Sequence, residues 1–88
     1  MPPTLPPPAR EAALLLAPHG PTTEQDETEW DVSARVNGQL VMVSWVNDQF
    51  VVTHDVSRTV RRQLETTDPR RALAHLRSVL ETLRREAA

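Results

Sequence analysis

Cysteine, lysine, isoleucine and tyrosine are absent from this 88-residue chain, and glycine occurs only as Gly20 and Gly38. The lack of cysteine excludes disulfides, thiolate nucleophiles and cysteine-based zinc sites together. Two glycines, one of them inside the turn dipeptide Asn37-Gly38, cannot build a Gly-rich phosphate loop. Lysine, isoleucine and tyrosine have AT-rich codons, whereas alanine, arginine, proline and valine are plentiful. That bias points to a GC-rich coding sequence and makes an all-arginine cation set a matter of composition first. Long apolar runs are missing too. The longest clusters, Ala12 to Ala17 and Leu40 to Val43, fall far short of the roughly 20 residues that span a bilayer. No basic segment followed by an apolar core and cleavage site opens the sequence, so a cytoplasmic rather than secreted protein is expected.

What is present fits one small domain. Hydrophobic residues make up 39%, charged residues 25%, and the net charge is −2, the composition of a globular chain rather than a disordered one. A domain of this length buries a modest share of its surface and is only marginally stable alone. Charge is unevenly spread. Residues 1–56 carry two arginines against eight acidic side chains, a net of −6, and residues 57–88 carry eight arginines against four, a net of +4. Such asymmetry marks an acidic or nucleic-acid partner, or two halves that attract one another.

Five of the eight prolines lie in the first eight residues, which favours an extended, flexible tail over 1–8. Pro8, Glu11 and the Ala/Leu run that stops at Pro18 and Gly20 predict a short helix near 9–17. Residues 21–29, polar and acidic without a period, read as a linker. Thereafter two turn dipeptides, Asn37-Gly38 and Asn47-Asp48, punctuate a β-branched stretch. Taken as two-residue hairpin turns, they set Trp30 against Trp45, Val32 against Val43, Trp45 against Phe50 and Val43 against Val52. Both registers gather Trp30, Val32, Ala34, Val36, Val41, Val43, Trp45, Phe50, Val52 and Val56 on one face. A slip of one residue would scatter that set, so the pattern predicts a three-stranded meander.

Ser57 offers a cap for a short helix through Val60 and Leu64, and Asp68-Pro69 is a capping carboxylate with proline at the first helical position. Ala72, Leu73, Leu76, Val79, Leu80 and Leu83 then form a helical stripe. The expected fold is therefore α+β: a short N-terminal helix, a three-stranded antiparallel meander, then two C-terminal helices, short and long, on the aromatic face of the sheet. In domain terms this is a tail at 1–8, a helix and acidic linker at 9–29, and a βββαα unit at 30–88. Helix, meander, helix is similar in element order to double-stranded RNA-binding domains, with Arg58, Arg61 and Arg62 near the start of the last helix. The lysine-rich helix start, its Gly-rich approach and the long β-loop of those domains are missing.

No catalytic pattern emerges. His19, His54 and His75 have no partner spacing, and His54 and Asp55, adjacent on a strand, point to opposite faces. The acidic residues between Glu24 and Asp31 lack the glycine of a calcium loop. No catalytic residue, metal, cofactor or small-molecule substrate is expected. Two surfaces remain. The second sheet face carries Leu40, Met42, Val46 and Val51, an apolar patch that would be covered by the N-terminal helix through Ala12, Leu15 and Leu16, by a second copy, or by another protein. Arg58, Arg61, Arg62, Arg70, Arg77 and Arg84 form the other, able to meet phosphates or simply to face solvent. The leading expectation is a non-enzymatic protein-interaction or regulatory module, homodimeric, the alternative a nucleic-acid-binding regulator.

Overall fold

The computed structural model describes residues 5–87. Residues 1–4 of the expected tail lie outside that range, while Pro7 and Pro8 form the first turn of helix α1 (Pro7–Leu16). Proline suits that turn because its missing N–H has no intrahelical partner there anyway. A single 3-10 turn, Ala17–His19, follows and ends at Gly20, whose φ of 64° is the left-handed conformation glycine adopts freely. The chain then runs through five antiparallel strands in sequential order: β1 (Thr22–Gln25), β2 (Trp30–Val36), β3 (Gln39–Val46), β4 (Gln49–Asp55) and β5 (Arg61–Thr66). It closes with helix α2 (Pro69–Ala87).

The central hairpins have the register that their turns dictate. Asn37, Gly38, Asn47 and Asp48 all have positive φ, the requirement of a type I′ turn. Trp30 pairs with Trp45, Val32 with Val43, Val43 with Val52 and Trp45 with Phe50.

The expected three strands and two C-terminal helices are corrected to five strands and one C-terminal helix. Residues 57–66 are not a short helix. Ser57 accepts a hydrogen bond from the Thr59 amide at 3.4 Å, and the Val56 and Ser57 amides both donate to the Val60 carbonyl. That serine therefore shapes a turn instead of capping a helix, and β5 returns to pair along β4, with Leu64 opposite Val52. The supposed linker 21–29 contains β1 and an Asx turn, where Asp26 Oδ1 accepts from the amides of Thr28 (3.0 Å) and Glu29 (2.8 Å). With these strands in place, the helix–meander–helix order of double-stranded RNA-binding domains no longer describes the chain.

Both helices sit on the same side of the sheet. Ala9, Ala12 and Leu16 of α1 and Ala72, Leu73, Leu76, Val79 and Leu83 of α2 share one buried cluster with Trp30, Val32, Ala34, Val36, Val41, Val43, Phe50 and Val52. Of the three coverings considered for the second sheet face, α1 is thus excluded. Ala9 and Ala12 let α1 approach β2 and α2 together, because neither side chain projects far enough to hold them apart. Each large apolar side chain fully removed from water here contributes about 1.5–3 kcal/mol. Asn37 ties the first hairpin to α2, its Nδ2 donating to the Leu83 carbonyl at 2.8 Å. No helix among the described residues is long and apolar enough to cross a membrane.

Candidate functional site

Strand alternation sends every second residue of the sheet away from the helices, and these residues form a five-strand face with no layer over it among the described residues. Cross-strand pairing arranges most of them in three rows. Across the middle run Thr22, Ser33, Met42, Thr53 and Gln63; on one side of it lie Glu24, Asp31, Ser44, Val51 and Glu65; on the other lie Arg35, Leu40, Asp55 and Arg61. Val46 and Gln49 extend the face beyond the acidic row. The four sequence-predicted contact residues, Leu40, Met42, Val46 and Val51, therefore share one face, each half-buried by its neighbours. Thr53 is fully buried and accepts a hydrogen bond from Gln63 Nε2 at 3.3 Å.

Charge on this face is ordered along the strands. Glu24 and Asp31 stand directly opposite one another, an arrangement of like charges that costs stability in a sheet. Neither makes an ion pair or side-chain hydrogen bond among the described residues. Partial burial, and then the charge of Glu24, push the Asp31 carboxyl above its usual value. At the opposite end Arg61 grips Asp55 with two contacts, Nε to Oδ1 at 2.6 Å and Nη2 to Oδ2 at 3.0 Å. Arg61 holds the Asp55 carboxyl below its usual value. Arg35 is exposed and its Nη1 reaches the Gly38 carbonyl at 3.3 Å.

The arginines proposed from sequence are not brought together. Arg58 lies in the β4–β5 turn, Arg61 points to the open face, and Arg62, its neighbour on β5, points to the helix side opposite His54. Arg70, Arg77 and Arg84 are exposed along α2, where Arg84 is held by both oxygens of Glu81 at 2.8 Å. His54 is 9% exposed, and one of its ring nitrogens, Nε2, lies 2.7 Å from Gln39 Oε1. Burial, and then Arg62, depress its pKa. Among the described residues no three His, Asp or Glu side chains stand close enough to hold a metal ion.

Sequence reasoning missed Glu24, Arg61 and Glu65 as members of this face, because β1 and β5 were not recognised as strands. The alternation Arg61, Gln63, Glu65 against Arg62, Leu64, Thr66 was the available signal, but only Leu64 is apolar. No protein-family model, curated protein or solved structure matches the chain.

Proposed function

We propose that this protein is a non-enzymatic interaction module that self-associates, with the uncovered face of the sheet as the surface that meets a second copy. One observation carries the reading: both helices pack on the aromatic face, which leaves Leu40, Met42 and Val51 on the inner strands β3 and β4, with Val46 at the end of β3, on a sheet face with nothing over it among the described residues. Antiparallel sheets often leave one face to water, but such a face is ordinarily polar along its whole length. Apolar side chains at the centre with charges toward the margins are the layout of a protein interface. A cytoplasmic setting belongs to the same proposal and rests on composition.

The test is mass by light scattering during size exclusion, for the wild type and for Met42→Glu and Val51→Glu, at low and moderate salt and with or without a nucleic-acid mixture. The wild type is expected to form a dimer that persists at moderate salt and ignores nucleic acid. Both variants are expected to run as monomers with unchanged circular dichroism, since neither side chain belongs to the buried core. A dimer that survives Met42→Glu overturns the reading. So does a monomeric wild type that gains mass with nucleic acid at low salt and loses that gain in an Arg58, Arg61 and Arg62 to Ala variant.

A further inference from the structure

We infer that the two copies stack sheet on sheet about a two-fold axis that lies across the strands at Met42, and that Arg35 and Asp31 fix this arrangement by pairing between copies. The inference rests on the self-association reading above and adds its geometry. An axis across the strands at the middle row superposes that row on itself and exchanges the acidic and basic rows. Arg35 then faces Asp31 of the second copy, with Glu24 beside it, because Arg35 and Asp31 lie on the same strand at equal distance from Ser33. Arg61 faces Glu65 by the same relation on β5, equidistant from Gln63.

A two-fold axis parallel to the strands is poorer in opposite-charge contacts. It keeps each row over itself while laying β1 on β5 and β2 on β4, so that Arg35 meets Asp55, a carboxylate already held by Arg61, while Glu24 meets Glu65. Charge therefore selects the first orientation, as like charges across an interface are strongly disfavoured. Among the described residues the opposed pair Glu24 and Asp31 has no cation of its own, so a cation arriving from outside the chain relieves a repulsion already present in the monomer. Sheets packed face to face lie about 10 Å apart with their strands within about 30° of alignment. An arginine and an aspartate on facing strands span that gap. Self-complementarity of this kind is what a two-fold interface requires, each contact being made twice.

The size of the face is adequate for a modest dimer. Five strands spaced about 4.8 Å apart and about seven residues long at 3.3 Å each give a flat footprint on the order of 500 Å². Side-chain relief brings the accessible area toward the roughly 800 Å² per partner of common stable interfaces.

The discriminating experiment mixes two charge-reversal variants, Arg35→Glu and Asp31→Arg. In either variant alone, two favourable pairs become two like-charge contacts, which is expected to raise the dimer dissociation constant about tenfold or more at low salt. Mixed in equal amounts, they restore both pairs, and a heterodimer of wild-type affinity is expected, read by sedimentation velocity with one variant fluorescently labelled. A dimer broken by Met42→Glu but indifferent to both reversals overturns the orientation and leaves the face assignment standing. A dimer indifferent to Met42→Glu as well overturns both, and so does a wild type that stays monomeric at high concentration.

Discussion

At the scale of single residues, His54 shows how the fold tunes a titratable group. The ring is buried at the end of the aromatic face, bonded to Gln39, and carries Arg62 opposite it on β5. Both burial and that cation disfavour the imidazolium, so the folded-state pKa lies below the ordinary value. In the unfolded chain the imidazole takes up its proton near pH 6.5. As pH falls through that value, the unfolded state binds protons first, and stability falls until the folded-state pKa is passed; above it both states are neutral and the effect vanishes. Urea unfolding of wild type and His54→Gln at about pH 7.5 and about pH 5.5 measures this directly. The wild type is expected to lose more stability than the variant on acidification, and glutamine keeps a polar group near Gln39. Equal losses in the two proteins would show that His54 does not titrate differently on folding.

At the scale of elements, what could be read from sequence followed what had a period or a turn signature. The Asn-Gly and Asn-Asp dipeptides supplied positive φ where the hairpins need it, and alternating valines then set the register of β2, β3 and β4. Helix α2 was equally legible, from its Asp-Pro start and a stripe with Leu73, Leu76 and Leu83 on one side. Strands β1 and β5 were not. All four residues of β1 are exposed, and β5 buries only parts of Leu64 and Thr66, so neither shows an apolar period. They exist because the open edges of β2 and β4 offer backbone groups to pair with, a tertiary effect that overrides local pattern. Short, polar edge strands also discourage further strand addition. Arg61 and Glu65, four apart, mimicked a helical ion pair while lying along a strand. By contrast, the start of α2 rests on a local device. Asp68 Oδ1 accepts from the Arg70 amide at 2.9 Å, and the Asp68 carbonyl receives the first helical bond from Ala72. Asp68→Ala is expected to cost about 1 kcal/mol of stability and Asp68→Ser much less. Chemical denaturation of both variants checks the ordering, and equal losses would assign the effect to something other than the cap.

At the scale of the whole molecule, one face of the sheet builds the core and the other is the proposed contact surface. Which side chains share a face was readable from alternation, whereas the docking of α1 was not. Its buried stripe is Ala9, Ala12 and Leu16, too small to announce a surface and equally compatible with either side of the sheet. The contacts with β2 and α2 decide it, and they leave the Met42 face free for the proposed association. This division separates two kinds of substitution. Removing Leu76, which is fully buried between sheet and helix, takes away core packing, and Leu76→Ala is expected to cost about 2–5 kcal/mol. At about 4–8 °C per kcal/mol for a domain of this size, the melting midpoint falls by roughly 10 °C or more. The proposed self-association stabilises the folded chain by mass action, so the wild-type midpoint is expected to rise with protein concentration. Met42→Glu abolishes that rise while its dilute-limit midpoint stays near that of the wild type, because Met42 stands outside the core and its cross-strand partners, Ser33 and Thr53, are uncharged. Leu76→Ala lowers the midpoint at every concentration but keeps the rise. Scanning calorimetry across a concentration series distinguishes the two behaviours. A wild-type midpoint that is flat with concentration, or a Met42→Glu variant that melts early even when dilute, would mean that the Met42 face serves the stability of the single chain instead of its association.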